Sequence, residues 1–187
     1  MPINIPTLLT WARIVLIPVV VGVYYLPLPL GDANFIATAA FLVAAITDWF
    51  DGWLARKLNQ TSAFGAFLDP VADKLMVAAA LVILVKLGRA DALLAFIIIG
   101  REIAISALRE WMASIGARKG IAVSFIGKLK TTAQMSAIPL LLYHDALGPI
   151  NTHLAGTWML WIAAALTLWS MVYYLRKAWP EIAEHSR

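Results

Sequence analysis

Six apolar stretches dominate this sequence, at Leu8–Tyr25, Ala33–Trp53, Pro70–Leu87, Ala92–Met112, Leu129–Tyr143 and Thr157–Leu175. A hydrocarbon core about 30 Å thick is crossed by roughly 20 apolar residues of helix. In that medium every backbone polar group needs an internal partner, so such stretches fold as helices. Composition agrees. Of the 187 residues 61% are hydrophobic and only 14% charged, and mean hydropathy is +0.79. A soluble domain is about half apolar and a quarter charged. The expected fold is all-α: a polytopic membrane protein with six transmembrane helices. Turn signals separate the stretches ("PLPLGD", "LNQTSAFG", "GRAD", "SIGARKG", "HDALGPIN"). No repeat, low-complexity tract or long linker divides the chain, so residues 1–187 are expected to form a single membrane domain. The sequence has no cysteine, which excludes disulfides and thiolate metal sites. Its start, "MPINIPTLLTWARIVLIPVVVGVYY", lacks a basic leader and a small-residue cleavage site and reads as a retained first membrane helix.

Lysines and arginines set the expected orientation. Arg56 and Lys57 lie in the second connection with Lys74 just beyond it, and Arg118, Lys119, Lys128 and Lys130 lie in or beside the fourth. The tail adds Arg176, Lys177 and Arg187. Opposite them stand only Lys86 and Arg89. With six spans both termini share the basic side, which is expected to be cytoplasmic. Trp11, Trp49, Trp53, Trp111, Trp158 and Trp179 fall near span ends, where an interfacial aromatic belt belongs.

Against this background four aspartates stand out: Asp48, Asp51, Asp69 and Asp73. Asp48 lies roughly 16 residues into the second span, about 22 Å along the helix at 1.5 Å per residue, near the cytoplasmic edge of the hydrocarbon. Asp51 follows at i+3 on the same face. Gly52 and Gly65 remove side chains where a ligand could approach closely. Asp69 and Asp73 are spaced i, i+4 at the start of the third span. Four converging negative charges need more counter-charge than Lys74 and Arg56 supply. Hard divalent cations take oxygen ligands, and two of them would neutralise the quartet. Such a two-metal site suits phosphoryl displacement. Simpler roles exist for each residue alone. Asp69 before Pro70 has the form of a helix N-cap, and Asp48 and Asp51 could pair with Arg56 and Lys57.

The spacing Asp48-x2-Asp51-Gly52-x2-Ala55-Arg56-x8-Gly65-x3-Asp69-x3-Asp73 resembles the signature of the CDP-alcohol phosphotransferases, at every fixed position. "NIPTLLTWARIVLIP", "GAFLDPVADK", "REIAISALREWM" and "GKLKTTAQM" extend the likeness to the bacterial branch that uses glycerol 3-phosphate as acceptor. The resemblance implies a transferase of phospholipid synthesis in the bacterial inner membrane, with its active site facing the cytoplasm. It makes Asp48, Asp51, Asp69 and Asp73 the ligands of two divalent ions, Mg²⁺ or Mn²⁺. Gly52, Ala55 and Gly65 would leave room for the cytidine of CDP-diacylglycerol, and Arg56 would pair with its phosphate. Asp73 would be the general base. A homodimer in the lipid bilayer is also implied, and no nucleic-acid partner.

The motif leaves the acceptor open. Arg101 lies near the middle of the fourth span, where an arginine is costly without a partner. Glu102 is a poor candidate for that partner, because adjacent helical residues point apart. Arg109 lies eight residues on, in the same broad stripe. Arg101, Arg109 and Lys128 are expected to form a pocket for the acceptor's phosphate, with Thr10 added by resemblance. Lys130 reads equally well as a positive-inside lysine, and Arg13 either faces the pocket or snorkels to the surface. Glycerol 3-phosphate fits such a pocket; serine and inositol phosphate remain alternatives. His144, His153 and His185 fall far from the aspartates on this topology. Two other classes compete. A divalent-cation transporter also carries intramembrane carboxylates, but it needs a polar path through the outer half, where "FIATAAFLVAAI" and "MVAAALVILV" are apolar. A non-catalytic scaffold would keep the motif without turnover.

Overall fold

The computed structural model describes residues 5–58, 63–115 and 125–185. Among them there are six α-helices and no strand: α1 (Ile5–Gly22, continued by a 3-10 turn over Val23–Tyr25), α2 (Leu30–Leu58), α3 (Ala63–Lys86), α4 (Ala92–Ser114), α5 (Phe125–Tyr143) and α6 (Thr152–His185). Each expected apolar stretch is one helix, but hydropathy located only the greasy middle of the longer ones. α6 has 34 residues and overruns Thr157–Leu175 at both ends. α3 opens at Ala63, upstream of Pro70. Asp69 therefore lies inside the helix, and the N-cap reading of that residue is corrected.

Among the described residues three helices are long and apolar enough to cross a membrane, over Leu8–Tyr25, Leu30–Asp48 and Thr152–Trp179. The other three each carry charged residues within their length: Asp69, Asp73 and Lys74 on α3, Arg101, Glu102 and Arg109 on α4, Lys128 and Lys130 on α5. Large apolar side chains lie on the outside of every helix, among them Val15, Phe35, Val82, Phe96, Leu129 and Trp169. An apolar surface of that extent suits a lipid solvent rather than water, as expected of an all-α membrane protein.

Packing partners follow a closed circuit. α1 lies against α2 and α3, α2 against α5, α5 against α6, α6 against α4, and α4 returns to α3. Small residues permit the close approaches. Ala33, Ala37, Ala40 and Ala44 form a buried stripe along α2. Where α5 meets α6, Gly156 has no room for a side chain: a Cβ there would come within 2.7 Å of Leu141 Cγ and 3.2 Å of the Ala137 carbonyl oxygen. Leu81, Leu84, Ile98, Ile138, Leu141 and Phe41 fill the middle of the bundle.

At the end of the bundle away from the aspartates, the α3–α4 turn is pinned to the α5–α6 turn. Gly88 takes φ +69° as α3 ends. Asp91 then caps α4, accepting from the amides of Leu93 and Leu94. Between them the buried Arg89 donates to the carbonyls of Leu141 (3.2 Å) and Leu142 (2.8 Å), the last turn of α5. His144 ends that helix at φ +65°, its ring centroid 5.0 Å from that of His153. Burial, then the neighbouring Arg89 and His153, hold the His144 pKa below its ordinary 6.5.

Two outcomes follow. Gly156→Ala forces α5 and α6 apart and should cost about 1–3 kcal/mol, read as a lower thermal midpoint in detergent. His144, neutral in the fold, takes up protons in the unfolded chain first. Its contribution is therefore fully present above pH 6.5 and is lost as the pH falls through the lowered folded value. The midpoint should drop with acidification in that window, and less so in His144→Asn, since asparagine also tolerates positive φ.

Candidate active site

The buried face of α1 carries Thr10, Arg13 and Val20, one helical stripe that includes two polar residues. α1 lies against both α2 and α3, so those two side chains point at the helices that bear the aspartates. Arg13, 1% exposed, places Nη1 at 3.0 Å from Asp48 Oδ1 and 2.6 Å from Asp73 Oδ1. Two carboxylates from two helices thus meet on one nitrogen. One turn before Asp73, Asp69 accepts a hydrogen bond from the Thr10 hydroxyl.

The carboxylates of Asp48 and Asp73 remain 39% and 40% exposed. They line a cavity of about 240 Å³ together with Pro70, Lys74, Glu102, Lys130, Thr131 and Gln134. Its far wall is built by α4 and α5, with α6 packed behind α4. Glu102 accepts from Lys130 and, at 3.3 Å, from Arg101. Arg101 is buried in the stripe Leu94, Ile98, Arg101, Ile105 of α4, and its Nη2 donates to Ser170 Oγ at 2.9 Å. The expectation that Arg101 and Glu102 point apart is therefore corrected. The guanidinium is anchored on α6, and this turns it back within reach of its neighbour. The Tyr174 ring, buried on α6, lies 5.6 Å from the Arg101 guanidinium and 5.4 Å from that of Arg109. Both arginines thus reach the same ring, an arrangement favoured by cation–π attraction.

Of the aspartate quartet, Asp48 and Asp73 are brought together and Asp69 stands beside them with Thr10. Thr10 belongs to this carboxylate group, not to the group around Arg101. Asp51, Gly52, Ala55 and Arg56 continue α2, but their side-chain environment lies outside the described residues, as does that of Lys128 on α5. The "ARK" loop with Gly116 and Gly120 lies outside them as well. Gly65 is buried on the first turns of α3.

Three residues do more in the structure than the sequence indicates. Arg13 is neither at the surface nor merely nearby: it is the counter-charge of Asp48 and Asp73. Its place three residues after Thr10 on an apolar stripe was the available signal. Lys130, set aside above, is buried and lines the cavity. Glu102, dismissed as a partner, joins the two cations of the far wall.

Among the described residues no group of three or more acidic or histidine side chains converges as a metal cage. The donor chemistry nevertheless fits a hard cation. Asp48 and Asp73 already direct oxygens at one positive group, they are open to the cavity, and carboxylate oxygens are what Mg²⁺ and Mn²⁺ select.

Comparison with known proteins identifies the family. A family model described as CDP-alcohol phosphatidyltransferase matches residues 3–169. The chain is 53% identical over 180 residues, 95% of its length and 96% of the relative's, to the CDP-diacylglycerol–glycerol-3-phosphate 3-phosphatidyltransferase of Escherichia coli strain K12. The protein of that name from Salmonella choleraesuis strain SC-B67 is 52% identical over the same shares, and that from Shigella sonnei strain Ss046 is 53% identical. The match runs from α1 through most of α6 and includes every element that lines the cavity, so the chain belongs to the CDP-alcohol phosphatidyltransferase family.

Proposed function

We propose that the chain transfers the phosphatidyl group of CDP-diacylglycerol to sn-glycerol 3-phosphate, giving phosphatidylglycerophosphate and CMP. Relatives sharing about half of its residues over nearly its whole length carry that name. The observation that carries the reading is the two-walled cavity, with Asp48 and Asp73 on one side and Lys130 with Glu102 on the other. Phosphoryl transfer asks for positioning and charge neutralisation more than for covalent help, and the two walls divide that work.

The carboxylate wall takes the donor. Asp48, Asp51, Asp69 and Asp73 are the ligands for two divalent ions. When bound, these neutralise the pyrophosphate and stabilise charge developing on the transferred phosphoryl group. Gly52, Ala55 and Gly65 leave room for the cytidine, and Arg56 pairs with a donor phosphate. Arg13 holds Asp48 and Asp73 at fixed separation. Asp73 accepts the proton of the acceptor hydroxyl. The freed oxygen bonds to the phosphorus that carries diacylglycerol, the bond from that phosphorus to the bridging oxygen breaks, and CMP leaves with the electron pair.

The cationic wall takes the acceptor. Arg101, Arg109 and Lys128, joined by Lys130, supply donors for a phosphate monoester; Arg101 and Arg109 offer planar forks suited to its oxygens. Cationic choline is repelled there. The wider reading places six spans in the bacterial cytoplasmic membrane with both termini and the cavity on the cytoplasmic side, and pairs two chains as a homodimer.

Purified protein in detergent with CDP-diacylglycerol, glycerol 3-phosphate and Mg²⁺ should release CMP. Chelation should abolish release, and Mg²⁺ or Mn²⁺ should restore it. Faster release with serine or inositol phosphate than with glycerol 3-phosphate would overturn the acceptor assignment and leave the class intact. Asp73→Asn should lower kcat by about 10²–10⁴-fold with an unchanged circular-dichroism spectrum. Full turnover in that variant would remove the general base from this account.

A further inference from the structure

We infer that Glu102 is a positioning residue for the acceptor: its carboxylate keeps Lys130 and Arg101 on the cationic wall and keeps Lys130 off the aspartates. The inference rests on the acceptor reading above. Glu102 Oε1 receives Lys130 Nζ and Arg101 Nη1 together. Both cations are buried, each side chain 6% exposed, while Glu102 is 22% exposed and faces the cavity. One oxygen therefore fixes two positive groups side by side, Lys130 on the cavity wall and Arg101 buried beside it.

Lys130 has competing partners. Asp48 and Asp73 line the same cavity. Opposite charges across a cavity attract, and lysine's flexible stem lets it follow such a pull. Without the carboxylate on its own wall, Lys130 faces Arg101 and Arg109 as like charges and is drawn to the aspartates opposite. It would then sit where the donor's counter-ions belong. Glu102 prevents that collapse. The cationic wall stays positive even so, since Arg101, Arg109 and Lys130 outnumber the single carboxylate, and a phosphate monoester brings about −1.5 to −2 charges to meet them. Ser170 does the complementary work from α6 by holding Arg101 Nη2. Gln134 adds a buried Oε1 with no hydrogen-bond partner among the described residues, on the same cavity wall.

Steady-state kinetics of Glu102→Gln separate this role from a structural one. The substitution keeps size and removes charge. The KM for glycerol 3-phosphate should rise about tenfold or more, as expected when a charge-assisted bond is lost. The KM for CDP-diacylglycerol should rise by a clearly smaller factor, because Lys130 displaced toward the aspartates crowds the donor's counter-ions, and kcat at saturating levels of both substrates should stay within about threefold. Glu102→Asp, which restores the charge on a shorter stem, should recover part of the acceptor KM. An unchanged acceptor KM, or an equal rise in both KM values, overturns the inference. Should Glu102→Gln not accumulate as folded protein, Ser170→Ala is measured instead. It should raise the acceptor KM alone and by less, and no change in that KM overturns the inference. Wild-type protein that releases no CMP on addition of glycerol 3-phosphate sinks the acceptor reading itself, a result distinct from a silent Glu102 variant.

Discussion

A guanidinium buried in an apolar bundle must be paired, because arginine stays charged and removing one partner of a buried ion pair leaves an uncompensated charge. Arg13 meets that demand with Asp48 and Asp73 together. The consequence is geometric. α2 and α3 are consecutive in sequence but touch each other little, whereas α1 packs against both. The register between the two aspartate-bearing helices is thus set by a residue from a third, and the carboxylates converge because the cation between them leaves no better arrangement. Thr10, one helical turn away on the same face of α1, does the same for Asp69.

The polar residues of the interior fall into groups separated by hydrocarbon. At one end Arg89 caps the carbonyls of α5 and lies beside the Tyr24 hydroxyl, and Tyr24 donates to Asn34. At the other lie the two cavity walls. Between them stand Phe41, Leu81, Leu84, Ile98, Ile138 and Leu141, all nearly inaccessible. A cation path would need polar groups through that layer. Among the described residues the buried Thr38 of that layer spends its hydroxyl on the Asn34 carbonyl of its own helix, and the charged groups lie at the two ends, which weighs against a transporter and for chemistry confined to one end. The apolar middle also gives the bundle the rigidity that a preorganised site requires.

The groups in and behind the far wall are oriented by helices other than their own. Arg101 of α4 is held by Ser170 of α6, Glu102 of α4 by Lys130 of α5, and Tyr174 of α6 lies within cation–π reach of two arginines of α4. Beyond its apolar stretch α6 carries the basic Arg176 and Lys177, which belong at an aqueous edge.

Read alone, the sequence determined the solvent, the helix count and the chemistry. Long apolar stretches leave helices as the only backbone solution in lipid, and aspartates at fixed spacing are costly enough beside hydrocarbon that they mark a site. It could not determine pairing across helices. Arg101 and Glu102 diverge on an isolated helix and meet only because Ser170 stands on another. Arg13 is ambiguous until α1 is known to wedge between α2 and α3. Asp69 resembles a cap because Pro70 follows it, yet the helix opens at Ala63. Spacing along one helix is a local property fixed by 3.6 residues per turn, whereas which carboxylate faces which cation depends on the order in which six helices close their circuit, and only packing decides that.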